Sequence, residues 1–252
     1  MEEDFQPEYV VSPNGHYVVE VHGGTASDGG GVYRLFVIET TKTKDRVALG
    51  DEFERSIEVI FSPNEEWIVL NHYPATGVCK PLLFRHRSEA KFENIPSLDV
   101  DAQVRQLYVK DTGDKQGASS DVPIFVKALE WKPDSSGFTV YLASKYGDLQ
   151  FDGWEAVYNV MGGRPMTTNV RQRSQADWER METLREQNEK LDLEQQLNAI
   201  YQVLKAKIDK DDQAQLVAQE RQWLVDREKT NPDDRLEFTR KRIAQLTELV
   251  LK

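Results

Sequence analysis

Histidine and cysteine are the side chains of this chain with the greatest potential for catalysis or metal binding. The chain contains four histidines and one cysteine. Neither His72 nor His86 has a second ligand at the spacing of a metal motif. His16 and His22 could gather a metal together with Asp28, but ordinary surface histidines are the favoured interpretation. We therefore predict no metal and no other cofactor.

Cys79 lies beside Lys80, whose charge could lower the pKa of the thiol, but no base-orienting residues surround it in sequence. A small buried or strand-edge residue is favoured over a nucleophile. The glycine-rich segments at 23–24 and 29–31 lack the features of a phosphate-binding loop and predict a hairpin tip. The polar loop at 111–121 lacks a full set of calcium ligands. With no acid–base or nucleophile constellation, we predict that the protein is not an enzyme.

The charge of the chain favours a basic partner. Its 252 residues include 43 Asp and Glu against 32 Lys and Arg, which gives a net charge of -11. Residues up to Pro165 carry -10 of this excess, and residues from Met166 onward carry only -1. Phosphate binding depends on clustered cations, so we expect no nucleic-acid partner. No run approaches about 18 apolar residues, so we expect no membrane span.

Residues 1–165 are predicted to form an acidic antiparallel β-domain. Short bursts rich in Val, Ile, Tyr and Phe alternate with clusters of Gly, Pro, Asn and Asp, which is the pattern of strands and turns. One phrase, with Pro before Asn or Asp and then a strand that begins near an aromatic residue, recurs at 12–19, 62–69 and 132–140. Such a phrase reverses the chain, because Pro presets φ and the Asn or Asp side chain bonds to nearby backbone.

These three units resemble the blades of TolB-like and WD-type β-propellers. A closed propeller usually has about four to eight blades. Three units are compatible with an open arc, with a dimer that completes the ring, or with an ordinary antiparallel meander that reuses the same turns. The pattern leaves all three arrangements open.

Residues 166–252 are predicted to form a three-helix domain, because they contain no glycine and one proline. The strand pattern stops between Gly162 and Ser174. Capping residues place the helix starts near Gln175, Asp212 and Pro232. The middle helix is expected to bury an apolar face made of Ala214, Leu216, Val217, Trp223, Leu224 and Val225. The predicted fold class is therefore α+β, with the β-domain followed by helices.

The helical domain resembles the LprI-type lysozyme-inhibitor family in three segments. They are an L-N-x-x-Y segment at 197–201, a helix with Trp223 and Arg227, and a T-x-x-R-x-x-x-L segment at 239–246. The resemblance implies a small helical domain of secreted or periplasmic bacterial proteins, some of which bind and inhibit lysozyme. Family members commonly carry cysteines near the last two helices, whereas residues 231–235 contain none.

Trp223 and Arg227 lie four residues apart on one helix face, and Tyr201 could meet them across the hairpin. One interpretation is a structural cluster in which the tryptophan ring is buried and the arginine covers it. The other is a partner-binding surface formed by these three residues. The spacing of the residues is compatible with both.

Together these patterns predict a non-enzymatic bacterial protein-binding module whose partner is basic, with lysozyme as the candidate given by the resemblance. Opposite charge on two proteins speeds their encounter. The resemblance implies a periplasmic or secreted location; no signal peptide is visible at the start of the sequence, and a cytoplasmic location stays open. The alternative is a structural or assembly module that self-associates through the β-arc and the long helix.

Overall fold

The computed structural model confirms the α+β class, with antiparallel sheets in the first part of the chain and helices in the last. It describes residues 7–25, 30–41, 45–76, 78–113, 124–144, 153–161, 164–173 and 175–252. Three successive strand units precede the C-terminal helices, and we call them the first, second and third units.

The first unit is a four-stranded antiparallel meander with one short additional strand. Its strands are β1 (Glu8–Val11), β2 (Tyr17–Thr25), β3 (Gly31–Glu39) and β4 (Arg46–Ala48), and β5 (Phe53–Glu54) pairs with β3. Its buried aliphatic residues form one core with residues of the second unit, so the two units share an apolar interface.

The second and third units are also four-stranded meanders, but they join into one sheet. The second contains β6 (Ser56–Phe61), β7 (Trp67–Ala75), β8 (Val78–Ser88) and β9 (Lys91–Asn94), and the third contains β10 (Ile124–Trp131), β11 (Gly137–Ser144), β12 (Gly153–Asn159) and β13 (Arg164–Arg173). A parallel contact between Cys79 of β8 and Phe125 of β10 connects them. The described strands therefore do not close into a ring of separate blades.

Strand β13 lies where the sequence pattern predicted no strand. Its residues are mostly polar, so no hydrophobic alternation marks it, and its backbone pairing with β12 is what defines it. The next helix begins at Gln175, where the capping pattern predicted it. Ser174, the predicted cap, lies outside the described residues.

Four α-helices are described rather than the three predicted, because α1 (Val100–Thr112) lies between the second and third units. It buries Val100, Val104 and Tyr108 in the core that those two units share. The C-terminal helices are α2 (Gln175–Lys207), α3 (Lys210–Lys229) and α4 (Arg235–Leu251), and short 3-10 helices occur at Pro96–Leu98 and Pro232–Asp234.

Helix α3 differs from its prediction in its cap. Asp209, not Asp212, is the N-cap, because its carboxylate accepts hydrogen bonds from the backbone N–H groups of Asp211 at 3.0 Å and Asp212 at 2.9 Å. Three acidic residues in four positions could each have served as the cap, and the chain reversal after α2 selects the first of them.

Three of the six residues that were predicted to form the buried face of α3 are exposed. Leu216 and Trp223 are buried, but Leu224 and Val225 are 43% and 50% exposed and Ala214 is also exposed. The helix contacts the rest of the bundle along one narrow face, so only residues spaced about seven apart reach the core.

The three recurring turns have the same backbone geometry. The residue after Asn or Asp is left-handed in each, with φ of 74° at Gly15 and 59° at both Glu65 and Ser135. Its N–H donates to the carbonyl oxygen three residues earlier, at 2.9 Å in every case. The side chain of this residue consequently projects out of its own turn.

The left-handed residue of each later turn binds the turn before it. The carboxylate of Glu65 accepts hydrogen bonds from the N–H of Asn14 at 2.8 Å, from Ser12 Oγ at 2.5 Å and from His16 Nδ1 at 2.7 Å. Ser135 Oγ accepts from the N–H of Asn64 at 3.0 Å. One contact thus repeats between the second and first units and between the third and second units.

The first turn ends this series, because Gly15 has no side chain and α2 occupies the adjacent space. A Cβ on Gly15 would lie 2.8 Å from Val203 Cγ2 and 3.1 Å from the Ala199 carbonyl oxygen. Gln196 Oε1 also accepts a hydrogen bond from the N–H of Val11 in β1 at 3.0 Å. Helix α2 therefore covers the side of the first unit on which a preceding unit would stack.

Replacing Glu65 by alanine should lower the free energy of unfolding by about 3 kcal/mol, because the buried hydroxyl of Ser12 and the backbone N–H of Asn14 would lose a charged acceptor. Chemical denaturation followed by tryptophan fluorescence measures this loss. Glu66→Ala, at the exposed next position, should cost less than about 0.5 kcal/mol. Equal losses for the two variants would contradict the assignment of Glu65 as the inter-unit contact.

Candidate functional site

A polar network lies where the second and third units meet. Glu58 Oε2 accepts hydrogen bonds from Lys127 Nζ at 2.8 Å, Tyr73 OH at 3.0 Å and Asn71 Nδ2 at 3.1 Å. Burial by itself would raise the pKa of Glu58, but the Lys127 charge and the three hydrogen bonds outweigh burial and hold that pKa below its ordinary value. The network therefore contains an ionised carboxylate beside a buried ammonium group.

Cys79 is buried beside this network. Burial raises the pKa of its thiol to about 12, although the nearby charge of Lys127 acts in the opposite direction. Burial also raises the pKa of Tyr73, and the Glu58 charge adds to that effect. Both groups are consequently protonated at neutral pH, so the structure places Cys79 in a packing position rather than in that of a thiolate nucleophile.

Helix α2 brings a further carboxylate to this region. Partial removal of water raises the pKa of Asp192, and the negative charges of Glu189, Glu58 and Glu130 raise it further. Glu58 and Glu130 belong to strands β6 and β10, whereas Glu189 and Asp192 belong to α2. We call these four carboxylates the acidic junction, because they combine both halves of the chain.

Two members of the acidic junction are neutralised by ion pairs and two are not. Glu58 pairs with Lys127, and Glu189 pairs with Arg240 of α4. Within the described part of the chain, no cation pairs with Glu130 or Asp192. The junction therefore has a surplus of negative charge, which attracts cationic groups and repels anionic ones.

The histidines occupy separate structural positions. His16 binds Glu65, and His22 Nε2 lies 3.3 Å from Glu20 Oε2. His72 Nε2 contacts the Glu54 carbonyl oxygen at 3.1 Å, and His86 contacts that of Glu89. Across the described residues, no three His, Cys, Asp or Glu side chains are grouped to hold a metal ion, and Asp28 lies outside them.

The pairing of Ser12, Glu65 and His16 is not a nucleophile relay. Ser12 Oγ donates to one carboxylate oxygen of Glu65, and His16 contacts the other. A serine nucleophile needs its proton taken by the histidine. Ser12 is fully buried and its Oγ also accepts from the N–H of Tyr17, so the hydroxyl serves to hold the turn.

The glycine-rich and polar loops are described only in part. Gly23, Gly24 and Gly31 pair within strands β2 and β3 of one hairpin rather than forming its tip, and residues 26–29 between these strands lie outside the described residues. Asp111 Oδ2 accepts a hydrogen bond from Trp154 Nε1 at 3.0 Å. Most of the polar loop, 114–121, also lies outside the described residues.

The structure brings Trp223 and Arg227 together. The Trp223 ring stacks on Phe238 at 5.7 Å between centroids, and the Arg227 guanidinium lies 4.9 Å from the Trp223 ring centre. Arg227 also forms an ion pair with Glu194 of α2. Tyr201 is half-buried against the same helical core. This cluster fixes α3 and α4 against the segment of α2 that contains Asp192.

Comparison with known proteins identified no relative: no protein-family model matches the chain, and no curated protein matches it. The LprI-type resemblance of the helical half therefore stays a prediction from its motif residues. None of the described helices is both long enough and apolar enough to cross a membrane.

Sequence reasoning missed the acidic junction. Its members are isolated acids in β6, β10 and α2, separated by up to about half of the chain. The only signal in the sequence was the acidic excess of the first half, which indicates no position. Tertiary folding brings α2 near enough to the strands for these carboxylates to raise the pKa of Asp192.

Asp192→Asn should raise Tm at neutral pH, because a carboxyl whose pKa is raised by folding costs stability once it ionises. The gain should shrink as pH falls through that raised pKa. It should vanish below about pH 3, where the carboxyl is protonated in both states. Thermal melts of both proteins over a pH series measure the difference.

The matched control is Glu66→Gln, which neutralises one exposed acid outside the acidic junction and should leave Tm unchanged at every pH. A gain for Asp192→Asn that stays constant with pH would show that ionisation of Asp192 is not its cause.

Trp223→Ala should lower the free energy of unfolding by about 3 kcal/mol, because it leaves a cavity beside Phe238 and removes the surface under Arg227. Leu224→Ala, at the exposed next position, should cost less than about 1 kcal/mol. Urea denaturation of the two variants at low protein concentration compares them. A larger loss for Leu224→Ala would contradict the observed orientation of α3.

Proposed function

We propose that this protein is a non-enzymatic bacterial protein-binding module, and that it binds a basic protein at the acidic junction. One observation carries the proposal: carboxylates of the strand half and of the helical half act electrostatically on one another, and two of those carboxylates have no paired cation among the described residues. Lysozyme is the candidate partner, because the LprI-type resemblance of the helical half implies it.

The electrostatics of Asp192 support this proposal. A carboxylate placed among like charges lowers the stability of the folded protein. Functional sites are among the places where natural proteins retain such costs. A lysine or arginine of a partner would replace the missing counter-charge.

The junction also relates the two clues from the sequence. The net charge lies in residues 1–165, whereas the family resemblance lies in residues 166–252. Asp192 belongs to the helical half, and Glu58 and Glu130 belong to the strand half. A partner bound there would contact both halves, so the acidic charge of the strand half and the family resemblance of the helical half would both bear on one binding surface.

Trp223 and Arg227 receive a positioning role in this proposal, and Tyr201 belongs to the same helical core. Arg227 binds Glu194, two residues from Asp192, and the guanidinium of Arg227 packs over the Trp223 ring. The cluster keeps this stretch of α2 in place beside the strands. The three residues then support the binding surface and need not touch the partner.

For the strand half we propose propeller-type blades arranged as an open arc. The repeated turn and the repeated contact made by Glu65 and Ser135 support this arrangement. Self-association that completes a ring has less support, because α2 already lies against Gly15 at the first turn. The resemblance favours a secreted or periplasmic location, with the cytoplasm as the alternative.

The proposal is tested by mixing the purified chain with a lysozyme at low salt. A complex on a sizing column and reduced lytic activity are expected, and both should weaken as salt rises. Neutralising the junction with Asp192→Asn and Glu130→Gln should weaken binding by about tenfold or more. Absence of both complex and inhibition at low salt would overturn lysozyme as the partner.

A control with the same net charge separates the junction from a general charge effect. Glu66→Gln and Asp134→Asn neutralise two exposed acids of the turns, and the asparagine keeps the hydrogen bond to the N–H of Ser136. This double variant should bind like the unmodified protein. Equal weakening by both double variants would show that net charge, and not the junction, determines binding.

A further inference from the structure

Asn14 and Gly15 of the first turn form the only Asn-Gly pair in the chain, because every other asparagine precedes a larger residue. Asparagine loses its side-chain amide most readily before glycine, since glycine has no side chain to shield its backbone nitrogen. The second and third turns have Glu65 and Ser135 at the glycine position. The first turn alone therefore combines the recurring turn geometry with this reactive pair.

The packing of α2 requires glycine at position 15. Gly15 has a φ of 74°, and a Cβ there would lie 2.8 Å from Val203 Cγ2. A larger residue would be strained in this conformation and would displace α2. The reactive pair is consequently part of the contact between the first unit and α2.

Hydrogen bonds hold the backbone of this pair in the folded protein. The N–H of Asn14 donates to Glu65 Oε1 at 2.8 Å. The N–H of Gly15 donates to the Ser12 carbonyl oxygen at 2.9 Å, and the Gly15 carbonyl oxygen accepts from Thr40 Oγ1 at 2.6 Å. The backbone is thus fixed on both sides of the peptide bond between Asn14 and Gly15.

The reaction open to this pair is an attack of the Gly15 nitrogen on Cγ of Asn14. The N–Cγ bond forms, the Cγ–Nδ2 bond breaks, and ammonia leaves with the proton of the Gly15 N–H. Water then opens the resulting succinimide ring at either carbonyl, which gives aspartate or isoaspartate at position 14. In sum, water is consumed, ammonia is released and an amide becomes a carboxylate.

The folded first turn opposes this attack. Asn14 has a negative φ and the N–H of Gly15 bonds to Ser12, so the turn has the type I form, in which ψ of Asn14 is about 0°. Ring closure requires the Gly15 nitrogen to lie on the side of the Asn14 Cβ, which is a rotation of ψ by about 120°. That rotation breaks the hydrogen bond to Ser12, so the turn has to open before Asn14 reacts.

We propose that Asn14 is a modification site, which converts to aspartate or isoaspartate when the first turn separates from Glu65, and that this conversion makes the separation permanent. Glu65 controls the opening because its carboxylate binds both Ser12 Oγ and the N–H of Asn14. The Asn14 side chain is exposed, and its Nδ2 donates only to the Pro63 carbonyl oxygen at 3.5 Å. The backbone contacts, and not the amide group, therefore limit the reaction.

Either product fits the first turn less well than asparagine does. Isoaspartate inserts a methylene group into the backbone beside Gly15, where Val203 and Ala199 leave no space. Aspartate keeps the backbone, but it adds a negative charge near the buried carboxylate of Glu65 and cannot donate to the Pro63 carbonyl oxygen. Because the ammonia is lost, the contact between the first two units is weakened in one direction only.

Peptide mapping by mass spectrometry of the full chain, kept at mildly alkaline pH, tests the protection of Asn14. Conversion should be about tenfold or more slower in the folded chain than in a synthetic peptide of residues 9–20, because it needs local opening. Glu65→Ala should accelerate conversion severalfold, and Glu65→Gln, which keeps the side-chain length, should have a smaller effect. Glu66→Ala, at the exposed next position, should leave the rate unchanged.

Equal rates in the folded chain and in the peptide overturn the proposal. So do equal rates in the Glu65 variants and in Glu66→Ala, with all of them folded by circular dichroism. Asn64, at the same position of the second turn, should stay unconverted in every sample, because Glu65 follows it.

The permanence of the change is tested on converted protein. Ion exchange separates it from the starting chain, because each conversion adds a negative charge, and the midpoints of urea denaturation are compared. The converted chain should have the lower midpoint. Asn14→Gln keeps an amide but removes the reactive pair, so the incubated variant should keep its charge and its midpoint. An unchanged midpoint after conversion, or the same loss in incubated Asn14→Gln, overturns the one-way effect.

Discussion

The buried carboxylate of Glu65 is the interaction on which the strand half depends. It is 5% exposed, and it receives hydrogen bonds from Ser12, Asn14 and His16 of the first turn. A buried carboxylate is costly unless such donors surround it, so the first two units must keep one relative position. The weaker contact from Ser135 to Asn64 repeats this geometry between the third and second units.

The position of α2 follows from the end of this series. Gly15 has no side chain to reach towards a preceding turn, and the space beside it accepts Ala199 and Val203. Helix α2 starts directly after the last strand of the third unit and reaches the first, so it extends across the strand half. That course carries Asp192 to the carboxylates of the strands.

A surface that combines both halves of the chain results from this architecture. The acidic junction combines strands with α2 and depends on long-range attraction, which salt weakens.

The sequence alone determined the features that rest on neighbouring residues. The three Pro-Asn or Pro-Asp turns, the start of α2 at Gln175 and the buried position of Cys79 follow from local hydrogen bonding and composition. Only the tertiary structure decided that Glu65 joins two units and that Asp192 meets carboxylates of the strands. It also decided which side of α3 is buried. Each of these depends on residues distant in sequence, and no local pattern encodes which distant segments become neighbours.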